Sequence, residues 1–327
     1  MSPMRKLLNS KIFYKPADAV LGFVTVPAMA WLRMAKYIGI SKLPVTQKML
    51  NKVGVFPIVD HYYEPLFRFD RLQKGNEVRE LPLDWNDEEQ LAIIDQFHYQ
   101  KEFETIPHLP DEQQSSNYEY FWENGSYLCA DAEYLYSLIR YKKPKRIIEI
   151  GSGFSTRMMK KAVAMNEQEN PSHKTHITCV EPYEMEWLEK INVEVIRERV
   201  EDISLARFKE LGEGDILFID SSHMIRPQGD VLYEFFTILP VLQKGVIVHI
   251  HDIFSPFDYP SHWMTQEYRM WNEQYLLEAF LMYNRQFKII GALSYLGYKY
   301  ADFMDEKFPN IQKNANKKGC AMWLQKL

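Results

Sequence analysis

Cysteine is scarce in this chain: three in 327 residues, at Cys129, Cys179 and Cys320. That number and spacing fit neither a disulfide framework nor a zinc cluster. Cys179 and Cys320 sit in apolar, strand-like runs and read as small core hydrophobes. A reducing, cytoplasmic setting is expected. A basic excess is also missing. The net charge is −5 and the pI about 6.0, so no electrostatic footprint for nucleic acid is present. The basic clusters at 142–146 and 313–318 read as solvated loops ahead of strands. No apolar run reaches the roughly 20 residues that span a bilayer. The nearest, Ala19–Leu32, is uncharged but short, is interrupted by Pro27, and is followed by no signal-cleavage site. It reads as a helix packed on the protein body. The sharper alternative is weak membrane-surface association through residues 19–39, flanked by Arg33 and Lys36. No G-x-x-x-x-G-K-[ST] loop is present, which argues against a P-loop nucleotide site. No internal repeat or low-complexity tract appears.

Hydrophobic content is 46% and charged content 25%, enough for a large core. Before about residue 128 the sequence is aromatic, proline-punctuated and irregular. It carries one clear helix, in which Asp84–Glu89 supply a cap and an acidic first turn and Leu91, Ile94 and Phe97 follow helical spacing. From about 129 the text alternates. A helix over 130–141 stops before Pro144. Strands follow at 146–150, 176–180, 193–200, 215–219 and 245–250. Helices are expected at 156–165 and 230–242. Short apolar strands alternating with helices predict a parallel sheet covered on both faces. Two closing strands, 287–293 and 320–325, have no convincing apolar helix between them and are expected to pair antiparallel. Residues 254–285 form an aromatic insert. The expected organisation is an extension over 1–128 and an α/β domain over 129–327.

The run Arg146–Gly153 (RIIEIGSG) carries the strongest chemical signal. It is an apolar strand running into a glycine turn that opens a helix, the usual cofactor position in such a sheet. Glu181 ends the next strand and can hold ribose hydroxyls. Two features disfavour NAD. Thr156 stands where G-x-G-x-x-G has its third glycine, and Glu149 would repel a pyrophosphate. A carboxylate there suits a ligand bearing an ammonium and a sulfonium.

The order Glu149-x-Gly151-x-Gly153, Glu181, Val200-Glu201-Asp202, Asp220, His251-Asp252 resembles the class I SAM-dependent methyltransferases. Within that class, IIEIGSGFST and the late GCAMWL run look like bacterial sugar or natural-product O-methyltransferases. The resemblance implies a Rossmann-like, seven-stranded, mostly parallel sheet with an antiparallel last strand. It implies S-adenosylmethionine held by Glu149, Gly151, Ser152, Gly153, Thr156, Glu181 and Asp220, with Val200 and Glu201 flanking the adenine.

Asp220 ends the fourth strand and His251-Asp252 the fifth. Adjacent strands lie about 5 Å apart, so these groups should converge. His223, three residues after Asp220, could fold back over the same point; His249 lies deeper on the face of His251. Two chemistries fit. A divalent metal on Asp220, His251 and Asp252 would lower the pKa of an acceptor hydroxyl, with a donor set better suited to Mn²⁺, Fe²⁺ or Zn²⁺ than to Mg²⁺. Alternatively His223 or His251 is a general base positioned by Asp220 or Asp252. In the insert, Tyr259, His262 and Trp263 read as substrate contacts, aromatic faces for a ring-containing acceptor such as a sugar or glycosylated metabolite. Residues 118–127 could also reach the pocket. A nitrogen or carbon acceptor, a SAM-fold scaffold without activity, and association of copies stay open.

Overall fold

In the computed structural model the alternating segment folds into a seven-stranded sheet of order β3-β2-β1-β4-β5-β7-β6. The structure describes residues 11–67, 77–110, 118–183, 185–311 and 319–327. β1 (Arg146–Ile150), β2 (His176–Val180), β3 (Glu194–Ile196), β4 (Ile216–Ile219) and β5 (Ile247–Ile250) are parallel. β7 (Met322–Lys326) runs antiparallel between β5 and β6 (Phe287–Ala292). Every residue of β4 and β5 is buried, as their unbroken aliphatic and aromatic runs require in a sheet covered on both faces. The chain leaves β1 towards β2 and β3, then returns to place β4 on the other side of β1. The strand order therefore reverses between β1 and β4, and in such sheets the ligand crevice lies at the carboxyl ends of the strands at that reversal.

The chain divides into two compact units, Met1–Leu72 and Gln73–Leu327. The boundary thus falls well before the expected 128/129. The reason lies in where residues 87–127 bury their apolar groups. The helix α3 (Asp87–Asp95) and the aromatic stretch after it send Ile94, Phe97, Phe103, Tyr120, Trp122 and Tyr127 into the core of the sheet. Gln90 accepts from the Ala292 amide at 2.6 Å, and Asn86 donates to the Ile289 carbonyl at 2.9 Å. In the first unit, α1 (Lys11–Ile38) and α2 (Pro44–Val53) are joined by a tight turn, and Gly54 caps α2 in the left-handed region.

Helix α4 (Asp131–Lys142) is buried over most of its length and packs beside α5 (Phe154–Glu169). Its buried guanidinium, Arg140, is held by Glu102, Asn166 and Glu169. Three expectations need revision. The third strand is only three residues long, because the chain turns into a 3₁₀ turn at Val200–Asp202. The insert holds the helix α6 (Glu273–Tyr283), where its text suggests a helix over 271–283, two residues longer at its start. And β6 and β7, antiparallel as expected, are separated by two helices, α7 (Leu293–Lys299) and α8 (Ala301–Lys307). Their buried residues Leu293, Leu296 and Met304 are split across two short helices broken at Tyr300, so no single stripe is visible in the sequence. The basic cluster at 313–318 lies outside the described residues.

Candidate active site

The glycine turn closes onto the neighbouring strand. Gly151 has φ +77°, and a Cβ there would lie 1.9 Å from the Asp220 carbonyl oxygen. No side chain fits, so this glycine is demanded by the β1–β4 contact itself. Gly153 is different: its φ is −175°, and a Cβ would meet nothing within 4 Å. The fold leaves open space in front of it, room for a ligand to approach the backbone. Beneath the turn, Glu149 is fully buried and accepts from the Ser155 and Thr156 hydroxyls at 2.7 and 2.6 Å. Thr156 Oγ1 also accepts from the Gly153 amide at 3.1 Å. Thr156 therefore ties strand, turn and helix together where a third glycine could not. Burial pushes the Glu149 carboxyl up to about 7, despite the hydroxyls that favour its charge. Glu149 serves the turn from below; it does not face the crevice. Glu181, expected to hold a ribose, reaches the turn, accepting from the Ser152 amide at 3.2 Å and the Tyr183 amide at 3.1 Å. Val200 is buried and Glu201 half-buried beyond β3.

At the ends of β4 and β5 the predicted groups do converge. His223 Nε2 lies 3.2 Å from Asp220 and 3.5 Å from Asp252. His251 Nδ1 lies 3.6 Å from each of the same two carboxylates. Among the described residues, Asp220, His223 and Asp252 form one ligand-like set, with one donor atom of each within 4.8 Å of the others. His251 forms the corresponding set with Asp131 and Cys320. His223 thus stands beside the two aspartates that the sequence had grouped with His251. The reason is Glu273, buried at the start of α6, which bonds His223 Nδ1 at 2.9 Å and aims Nε2 at the two aspartates.

Three residues here stand in the left-handed region without being glycine: Ala130 (φ 63°), His223 (φ 58°) and Asp252 (φ 55°). Such backbone costs about 1–3 kcal/mol per residue and persists only where surroundings over-determine it. For His223 the surroundings are explicit. The amides of Asn272 and Glu273 both donate to its carbonyl, at 3.1 and 3.2 Å, and the Trp271 ring lies 4.4 Å from the imidazole. Burial disfavours charge on both imidazoles, yet the carboxylates win. His223 is raised well above the usual range by Asp220 and Glu273, and His251 to about 9 by Asp252, Asp220 and Asp131. With no cation between the carboxylates, both imidazoles favour the protonated form, which donates to them; a metal ion at His223 Nε2 would displace that proton. Burial likewise lifts Asp131 to about 6. His249, deeper on the same strand, is fully buried and stacks on Phe218 at 3.8 Å.

The insert residues expected to meet an acceptor occupy different environments. Trp263 packs edge-on against Phe254 and Trp271 at 5.2 Å, and the Arg269 guanidinium lies over both indoles at 4.2 and 4.6 Å. His262 is exposed. Tyr259 is only 2% exposed, its hydroxyl accepting from the Gln274 amide at 3.1 Å, so it supports the wall and presents no face to a substrate. Tyr127, from the 118–127 segment, does reach the centre, with its ring 5.2 Å from His251.

Residues 148–253 match the family model described as a methyltransferase domain. The matched stretch resembles a methyltransferase domain. The match spans the glycine turn, Glu181, Asp220 and His251-Asp252. The chain is also 30% identical over 183 residues to an uncharacterized protein of Archaeoglobus fulgidus, covering 51% of this chain and 78% of that one, and belongs to the same family. A solved O-methyltransferase from Bacillus cereus, in complex with SAH, aligns at a TM-score of 0.36 and 13% identity, over 72% of this chain and 91% of that one.

Three members of the centre went unread in the sequence. Asp131 reads as the start of a helix, and Glu273 likewise. Cys320 was expected in the core, but it precedes β7 and its thiol lies 3.4 Å from Asp252 and 3.5 Å from Asp131. The one available signal was position: each flanks the end of an element that feeds the carboxyl edge of the sheet.

Proposed function

We propose that this methyltransferase domain transfers the SAM methyl group to a hydroxyl of a small molecule, a sugar or glycosylated metabolite, with a divalent metal held by Asp220, His223 and Asp252. The observation that carries this reading is the convergence of those three donor atoms at the switch point, beside the turn that contains Gly151 and Gly153. The donor set fits a cation. Two carboxylates supply charge, and the imidazole has its second nitrogen fixed by buried Glu273, the usual support of a metal-bound histidine. One nitrogen and two oxygens suit Mn²⁺, Fe²⁺ or Zn²⁺. When bound, such an ion lowers the pKa of an acceptor hydroxyl.

The chain's own residues supply the rest. Gly153 and Glu181 seat the cofactor along the β1–β2 edge. Asp220, half-open to the crevice, takes the proton released by the acceptor. His251, packed behind Asp220 and Asp252, keeps both carboxylates turned towards the acceptor. Trp263 and Trp271 exclude water and offer ring faces to a sugar. Methyl transfer then depends chiefly on aligning oxygen, methyl and sulfur in line.

The test is direct. Chelator-stripped protein is incubated with deuteromethyl-SAM and a panel of sugars, glycosides and phenols, with and without Mn²⁺, and products are read by mass spectrometry. Metal-dependent label on oxygen supports the reading. Label on nitrogen or carbon, equal turnover without metal, or no binding of SAH would each sink the corresponding part.

A further inference from the structure

Residues 11–58 differ from the rest of the chain in charge and in exposure, and the methyltransferase reading uses neither property. The segment holds seven cations (Lys11, Lys15, Arg33, Lys36, Lys42, Lys48 and Lys52) and a single acid, Asp18. It therefore carries +6, while the remainder carries −11 of the chain's net −5. Within α1, every residue from Val20 to Trp31 with a described environment is exposed. Leu21, Phe23, Val24, Val26, Met29 and Trp31 are all at least 49% exposed. Successive helical residues turn by about 100°, so these positions cover all sides of the helix and do not form one stripe. α2 adds Val45, Met49 and Val53 at i, i+4 and i+8, also exposed, with Lys48 and Lys52 alongside.

A single protein surface would cover one face of α1 and leave the others wet. A medium that is apolar on every side covers them all. The uncharged run Ala19–Leu32 extends about 21 Å as a helix, short of the roughly 30 Å hydrocarbon core. Among the described residues no helix is long and apolar enough to cross a membrane. Cations flank the run on both sides, and Trp31 and Tyr37 stand at its carboxyl end, where amphipathic rings favour a headgroup boundary. We propose that residues 11–58 dock on an anionic phospholipid bilayer. α1 sinks into the boundary between headgroups and acyl chains, and the lysines of residues 42–52 lie against the phosphates. The acidic remainder of the chain would be repelled by the same surface, so the segment sets the orientation of attachment.

Flotation of the full chain with lipid vesicles tests this. The protein should float with phosphatidylcholine vesicles containing about one-third phosphatidylserine and stay behind with pure phosphatidylcholine. Binding should fall roughly tenfold when salt shortens the screening length. Replacing Lys42, Lys48 and Lys52 by Gln should abolish the preference for the anionic vesicles. The pair Leu21→Asp and Val24→Asp should abolish flotation while SAH binding, the control for folding, is kept; if that pair misfolds, the lysine variant decides. No flotation on either vesicle overturns the proposal, and so does equal flotation on both. A dimer that the Leu21→Asp and Val24→Asp pair dissolves, with no vesicle binding by the parent, overturns it in favour of a second copy.

Discussion

The two halves of the crevice are built on different principles. At the end of β1 the polar groups answer one another within eight residues: Glu149 is satisfied by Ser155 and Thr156, and Thr156 by Gly153. At the ends of β4 and β5 the groups come from four separate segments, and acids outnumber bases. Asp131, Asp220, Asp252 and Glu273 surround only His223 and His251. Even with both imidazoles charged, the cluster retains negative charge in a mostly buried place. The first half is complete as a structure and leaves room at Gly153. The second keeps an excess of buried negative charge, which the proposed metal ion or the sulfonium of a methyl donor would offset. Shape is prepared on one side and charge on the other.

The contrast can be broken at its hinge. Gly151→Ala must push the Asp220 backbone aside, and we expect a loss on the order of 5 kcal/mol or more, read as a collapse of the thermal transition. Asp252→Asn should keep the fold and lower turnover by about a thousandfold, near 4 kcal/mol, together with metal content measured on the purified protein. Unchanged turnover would remove Asp252 from the chemistry.

Glu149 sharpens the other half through pH. Its folded pKa, about 7, lies above the ordinary 4.5, so the folded state binds the extra proton. Stability from this group is therefore greatest below about pH 4.5 and declines as pH rises towards 7. The loss is of order 3 kcal/mol at most. Glu149→Gln should shrink the difference in melting temperature between pH 5 and pH 8; an equal difference in both proteins would contradict the assignment. Glu273→Gln should lower turnover ten- to a hundredfold and weaken metal binding, because His223 loses the partner that aims it. A purely structural role would leave metal affinity unmoved. Gly153→Ala is the mildest. Stability should change by less than about 1 kcal/mol, since the site is roomy, while SAH affinity drops about tenfold. The pair Gly151→Ala and Gly153→Ala thus separates a glycine needed by the fold from one that leaves room for a ligand.

This difference also explains what could be read in advance. The glycine turn is contiguous, so strand, turn and helix announce themselves in one run from Arg146 to Thr156. Asp220 and His251-Asp252 were legible because a parallel sheet forces strand ends together. Glu273 was not, since its partner is 50 residues away and the contact depends on how the insert folds back. Cys320 was misread because apolar neighbours on its carboxyl side hide that it precedes the strand. The division at 72/73 was missed for a related reason: irregular aromatic text says nothing of which core it will join, and Phe97, Tyr120 and Trp122 join the sheet.

One latch has a consequence for timing. The carbonyl of His223 is gripped by two amides of the insert, and its ring by Glu273 on the same segment. Any swing of that segment to admit an acceptor must release the imidazole, and any return must reset it. Admission and arming would then be a single event. An acceptor too large to let residues 271–273 settle would meet a centre that is never assembled. Selectivity would then show in the rate of reaction more than in the strength of binding.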